Sequence, residues 1–393
     1  MVEDADGAAT MLSPMLGKSA RNVVAACRAR SKSAWLARGV DRDVALKVAR
    51  LGLPGVFVRP AERRIYPEGE LACHLLGYVG PCDGAKAGLE RTCDVYLTGL
   101  PGILDGGADA AGRELPDLTR NFVAPMHGFN CVLTIDKWCQ FVAERELEAT
   151  CRAYNAPSGA VVIMKPDTGE ILAMASYPRY DPNRYADYPP EAWRNNAVTA
   201  AIEPGSCVKP LVVAAALEDG AISENDVFDC SHPMTFGRYQ VRDVKPVNGG
   251  LTPAEIIKRS SNVGIVQVGS RLGGRRYYEY LKLFGFGEPT GVELPGENGG
   301  ILREREFRRP MGAAFAFFGQ GISATPLQIT AAAAAIANGG WLLRPRLVKE
   351  VRDVDGRVVK KFAPEVKRRV ISVKTAARVL KMMELAVDEG GAE

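Results

Sequence analysis

The sequence has no run approaching the ~18 consecutive apolar residues that a membrane-spanning helix needs. The nearest stretch, Ile329 to Ala337, is short and rich in alanine, and Asn338-Gly339-Gly340 closes it, so it reads as a buried helix. The opening residues, MVEDADGAATML, are acidic and hold no basic segment followed by an apolar core, which excludes a secretory signal there. Nine cysteines are present, but no two form a C-x-x-C pair and none lies beside histidines at zinc-ligand spacing. That excludes the thioredoxin-like and zinc-ribbon patterns. The cysteines are read as small buried hydrophobes, with at least one thiol left over because the count is odd. No strong excess of either charge sign exists, the net charge being +4. Basic residues do gather between Lys18 and Arg50, but Trp35 is the lone aromatic among them and acidic residues recur nearby. The stretch is read as a solvated face, and no nucleic-acid partner is expected.

What remains is a globular composition, 47% hydrophobic and 24% charged over 393 residues, which excludes disordered and fibrous classes and suggests two or three domains. The chain has two textures. Up to about Asn121, glycine and proline punctuate short apolar runs such as LGLPGVFVRP and GLERTCDVYLTGLPG, which predicts short strands and loops. Beyond CVLTID the segments lengthen. A helix is predicted from Lys137 to Tyr154, with Trp138, Phe141, Val142, Leu147 and Ala149 as its apolar stripe. Two β-rich runs flank Pro166-Asp167-Thr168-Gly169 and predict a hairpin. The fold class is α+β.

The segment AIEPGSCVKPLVVAAALEDG carries the first chemistry. Pro204-Gly205 breaks the chain, and a helix is predicted from Ser206 to Leu217, ending near Gly220. Pro210 is tolerated because it falls in the first turn, where N–H groups have no intrahelical partner. Ser206 and Lys209, three apart, share one face. A serine hydroxyl becomes a nucleophile only when a base removes its proton, and roughly one free lysine in a few thousand is neutral at pH 7. Lys209 can be that base only in enclosed surroundings. Alone, Ser-x-x-Lys equally describes a helix cap followed by a solvated lysine. In LTPAEIIKRSSNVGIVQVGSRLGG, Thr252, Pro253 and Glu255 form a capping box that opens a helix running into Ser260-Ser261-Asn262. These three small polar residues describe either a helix break or the lining of a cleft.

Taken together, EPGSCVK and SSN resemble the Ser-x-x-Lys and Ser-x-Asn motifs of penicillin-binding proteins. KPDTGEILAMASYP, FGFGEPTGVELPGE and FGQGISATPLQI follow in family order, and RRIYPEGELACHLLGYVG is similar to the pedestal, or dimerisation, domain of the class B enzymes of cell division and elongation. The resemblance implies a pedestal over residues 1–125, strand-rich and incomplete at its start. It implies a transpeptidase domain over 126–393, helices around an antiparallel sheet, lacking its last strands. The implied activity is peptidoglycan D,D-transpeptidation through a serine acyl-enzyme, with stem peptides ending in D-Ala-D-Ala as substrate, β-lactams as inhibitors, and other cell-wall synthesis or division proteins as partners. Ser206 would be the nucleophile and Lys209 the base. Ser260 would relay protons, Asn262 would bind the acyl side of the substrate, and Gly205 and Ser261 would contact it. No metal or organic cofactor is implied. The parent protein would be anchored in the cytoplasmic membrane with its domains outside.

Two departures bear on activity. Cys207 follows the nucleophile but lies about 100° round the helix, out of reach of the same substrate atom. No Lys-[Ser/Thr]-Gly is present; Lys374-Thr375-Ala376 is a near miss, but Ser372 and the stripe Val379, Leu380, Met383 and Leu385 place it at a helix start. The chain is therefore expected to be clipped at both ends and to acylate poorly. Two other readings are a non-catalytic binding protein of the cell wall or divisome, and a carboxypeptidase or β-lactamase-like hydrolase. The intact Ser206, Lys209, Ser260 and Asn262 weigh against the first. The pedestal, and the lack of a second carboxylate to activate water, weigh against the second.

Overall fold

Helix caps and glycine stops written into the sequence set many of the element boundaries in the computed structural model, which describes residues 2, 4–29, 33–59, 63–80, 84–105, 107–108, 114–115 and 121–388. The chain separates into two compact units, Met1–Pro67 with Tyr78–Lys86, and Glu68–Gly77 with Ala87–Glu393.

In the first unit, Asp4 caps α1 (Ala5–Leu16) by accepting the Gly7 N–H at 2.8 Å, and Gly17 ends it with a left-handed φ of 60°. Ser19 caps α2 (Ala20–Cys27), and α3 spans Arg42–Arg50. Ala5, Ala8, Ala9 and Leu12 of α1 pack with Val23 and Cys27 of α2 and Val48 of α3. Helices rather than short strands therefore form most of the first fifty residues. The polar, basic outer faces that broke up the apolar runs belong to small amphipathic helices.

In the second unit, β1 (Asn130–Leu133) leads into α4 (Lys137–Ala153), which Asp136 caps through the Cys139 N–H at 2.8 Å. The buried face of α4 differs from the predicted stripe. Trp138 and Phe141 are exposed and stack on each other, while Gln140, Ala143, Glu144, Leu147 and Cys151 are buried. Polar side chains face inward because backbone needs them: Gln140 exchanges hydrogen bonds with Met174 at 2.8 and 2.9 Å, and Glu144 accepts the Ala72 N–H at 2.8 Å. The hairpin is as predicted: β2 (Gly159–Met164) pairs antiparallel with β3 (Ile171–Tyr177) across Pro166–Gly169.

At the centre of the unit lies α5 (Lys209–Glu218). Every residue from Leu211 to Leu217 is buried, so this helix is apolar all round. The hairpin β4 (Met234–Phe236) and β5 (Tyr239–Val241) follows, then α6 (Pro253–Arg259) and α7 (Asn262–Leu272). Further on, α8 (Pro326–Ala337) precedes β6 (Trp341–Leu343), β7 (Val348–Arg352), β8 (Val358–Lys361) and β9 (Val366–Arg369), and α9 spans Val373–Asp388. β7 lies between β8 and β1 in an antiparallel sheet, and β6 pairs with β9. Lys374-Thr375-Ala376 falls in the first turn of α9, with Thr375 buried, as the helix reading expected. Among the described residues no helix is long and apolar enough to cross a membrane.

Candidate active site

The chain approaches α5 through an extended segment and a tight turn. Ile202 bridges Ala324 with reciprocal backbone hydrogen bonds of 2.9 Å, and Glu203 accepts the Gly321 N–H at 2.8 Å. Residues 205–208 then form a single 3-10 turn, and the α-helix proper begins at Lys209, later than predicted. Pro210 is in the first turn of that helix, as its missing N–H requires. Gly205 has φ 56°, and its N–H donates to Gly319 O at 3.1 Å. Its donor is thus taken up in closing the turn, and the expected substrate contact from Gly205 has no free N–H behind it. Gly319 is itself required: a Cβ there would fall 2.1 Å from Gly205 O. Ser206 and Cys207 are exposed on the turn, while Lys209 is 2% exposed.

Burying a lysine removes water from its ammonium, so protein oxygens must replace it. Lys209 Nζ donates to Ser260 O at 2.5 Å, to Ser260 Oγ at 2.9 Å and to Asn262 Oδ1 at 2.8 Å. These neutral acceptors compensate only in part. Desolvation lowers its pKa to about 8, against the opposing pull of the Asp243 carboxylate. The Ser260 hydroxyl also donates to Ser206 Oγ at 3.1 Å. A continuous line of polar atoms therefore runs from Ser206 Oγ through Ser260 Oγ to Lys209 Nζ.

Ser260 reaches both neighbours because α6 stops there. The Thr252–Glu255 capping box starts α6, and Ser260 ends it in the left-handed region at φ 52°, ψ 40°. Ser261 then caps α7, accepting the Gly264 N–H at 2.9 Å and donating to Asp243 Oδ2 at 2.8 Å. At 1% exposure its side chain is turned into the protein. Asn262 lies at the start of α7, with Oδ1 on Lys209 and Nδ2 donating to Arg242 O at 3.1 Å.

The structure thus brings Ser206, Lys209, Ser260 and Asn262 into one cluster and places Gly205 and Ser261 in its supports. Sequence reasoning did not single out Asp243, Arg242 and Glu203; nothing in local pattern marks a residue that acts across a distant turn. Chemically, the cluster pairs an exposed hydroxyl with an enclosed amine across a second hydroxyl, an arrangement suited to nucleophilic acyl transfer.

A family model described as the penicillin binding protein transpeptidase domain matches residues 159–393, well over half of the chain. The chain belongs to the penicillin-binding protein transpeptidase family. A second model, the penicillin-binding protein dimerisation domain, matches residues 3–133. Stage V sporulation protein D of Bacillus subtilis is 37% identical over 358 residues, 90% of this chain and 55% of that protein. Peptidoglycan D,D-transpeptidase FtsI of Escherichia coli is 34% identical over 317 residues, 81% of this chain and 53% of that protein. The chain spans about half the length of these curated relatives. Among solved structures, a peptidoglycan synthetase from Bifidobacterium adolescentis aligns with a TM-score of 0.76 at 28% identity, over 98% of this chain and 70% of the other. Penicillin binding protein 3 of Mycobacterium tuberculosis, complexed with aztreonam, aligns at 0.72 and 31% identity, over 83% of this chain and 69% of the other.

Proposed function

We propose that this chain carries the nucleophilic half of a peptidoglycan D,D-transpeptidase site, with Ser206 as nucleophile. In the reading we favour, neutral Lys209 draws the Ser206 proton through the Ser260 hydroxyl as Ser206 Oγ attacks the penultimate D-Ala carbonyl. Collapse of the tetrahedral intermediate breaks the peptide bond, and the proton returns through Ser260 to the amine of the departing D-Ala. An amine of a neighbouring stem peptide then attacks the ester, loses its proton along the same line, and releases Ser206. β-Lactams would acylate Ser206 in the same way, their opened ring staying attached. Asn262 would stand beside the acyl part of the substrate. The observation that carries this reading is the unbroken line Ser206 Oγ, Ser260 Oγ, Lys209 Nζ, with steps of 3.1 and 2.9 Å. Family membership and the likeness to peptidoglycan D,D-transpeptidase FtsI support it.

On the same footing, residues 1–125 are read as the pedestal and 126–393 as the transpeptidase domain, which the two family-model matches support. The parent protein is read as anchored in the cytoplasmic membrane with these domains outside it, working with other proteins of wall synthesis or division. The test is D-Ala release from an acylated D-Ala-D-Ala peptide with and without an amine acceptor. We expect release that the amine accelerates and diverts into a new amide, all of it lost in Ser206→Ala. Release indifferent to the amine would replace transfer with hydrolysis, and release persisting in Ser206→Ala would remove Ser206 from the chemistry.

A further inference from the structure

The strand β5 ends at Val241, and the two residues after it hold Ser261, Asn262 and Val263 through four hydrogen bonds. Arg242 O accepts from Asn262 Nδ2 at 3.1 Å. Asp243 Oδ2 accepts from the Ser261 hydroxyl at 2.8 Å, and Oδ1 accepts from the Val263 N–H at 3.0 Å and, very closely, from the Asn262 N–H. We propose that Asp243 is a positioning residue for the cleft, the clamp that fixes the Ser260-Ser261-Asn262 turn and so presents three oxygens to Lys209. The proposal rests on the reading of Ser206 and Lys209 as an acyl-transfer pair.

The physical need for such a clamp is local. Ser260 has φ 52°, a left-handed conformation that a side chain other than glycine adopts only where its surroundings hold it. That conformation aims both its carbonyl and its hydroxyl at Lys209 Nζ. Relaxed to an ordinary helical or extended backbone, Ser260 would lose at least one of these contacts and the step to Ser206. A carboxylate answers the need better than a neutral acceptor. It meets two of the first N–H groups of α7, where the helix end favours negative charge, and one oxygen is left for Ser261.

The same charge acts on Lys209. It favours the ammonium form and offsets part of the desolvation. The groups bonded to Lys209, Ser260 and Asn262, carry no charge, and neither does Ser206 beyond Ser260. Charged residues on the packed elements are engaged elsewhere. Lys258 and Arg259 of α6 act on Glu255. Arg271 of α7 pairs with Asp226, and the Arg242 guanidinium holds Gln240. Glu218 accepts from Ser372 before α9, and Asp219 meets Arg276, both at the far end of α5. The Cys230 thiol, 3.7 Å from Ser261 Oγ, is pushed up by burial and stays neutral.

Two substitutions in the full chain separate shape from charge. Asp243→Asn keeps an oxygen for the two N–H groups but removes the charge; Asp243→Ala removes both. The readouts are the titration of the Lys209 13Cε resonance, assigned by its loss in Lys209→Ala, and hydrogen exchange at the Asn262 and Val263 amides. We expect the native chain to titrate near pH 8 and Asp243→Asn to titrate lower by about half a unit or more, with both amides still protected. In Asp243→Ala those amides should exchange at least about tenfold faster. An unmoved Lys209 midpoint in Asp243→Asn, or unchanged protection in Asp243→Ala, overturns the proposal. Should Asp243→Ala not fold, the Asp243→Asn titration alone decides. A native Lys209 titrating at its ordinary value instead overturns the acyl-transfer reading, while the amide exchange still judges the clamp.

Discussion

A lysine whose three N–H groups meet a carbonyl, a hydroxyl and an amide oxygen is solvated by dipoles rather than by a bonded carboxylate, so its proton is loosely held. With a pKa of about 8, roughly one Lys209 in ten is neutral at pH 7, more than about two hundred times the fraction of a free lysine. Replacing it by Met keeps length and bulk but removes the base. Lys209→Met is expected to lower Ser206 acylation by roughly 10²–10⁴-fold while circular dichroism shows the fold retained. A loss below tenfold would assign the proton to another group. At this scale the sequence was informative where residues are close in the chain. Ser206 and Lys209 announce each other by spacing, and so do Thr252 and Glu255. Asp243 was silent because its partners, Ser261, Asn262 and Val263, are brought to it by the return of α6. The supporting bonds of Gly205 and Ser261 were silent for the same reason, since their partners Gly319 and Asp243 lie far away in the chain.

The nucleophile turn depends on a second loop. Residues 318–321 press Gly319, whose φ is 81°, against Gly205, and a Cβ on Gly319 would lie 2.1 Å from Gly205 O. Gly319→Ala is expected to push residues 205–206 out of line with Ser260 and to slow acylation by at least about tenfold, since small misplacements of reacting groups are costly. The midpoint of thermal unfolding should also fall by several degrees. Normal acylation in this variant would mean that the two loops are not coupled. Element boundaries were legible where chemistry punctuates the chain, as at Pro166–Gly169 and at the start of α6. They were less so where burial decides: Gln140 and Glu144 look like a solvent face, yet they are buried because Met174 and Ala72 offer backbone groups that need partners.

For the second unit taken whole, stability should carry its own pH signature. His74 is buried, with Nε2 on Ala192 O at 2.9 Å, and burial lowers its pKa to about 4. The unfolded chain therefore binds a proton near pH 6.5 that the folded chain refuses until about 4. Stability is lost as pH falls through that window, by at most roughly 3 kcal/mol from this group. Denaturant titrations of the native chain and of His74→Gln between pH 7 and 4 should diverge accordingly; parallel curves would mean that the imidazole is not desolvated. The α+β class was legible in the change of texture after Asn121. The three small helices at the start were not, because eight to twelve residues with one apolar stripe resemble loops punctuated by hydrophobes.

Labelling by a fluorescent penicillin across pH 6 to 9, with the adduct located by peptide mass spectrometry, tests Ser206 as the nucleophile. One adduct is expected, on Ser206 and absent in Ser206→Ala. It should form at a rate that rises to a plateau above about pH 8 as Lys209 loses its proton. An adduct on any other residue, Cys207 included, or a Ser206 rate that does not change with pH, would contradict this assignment.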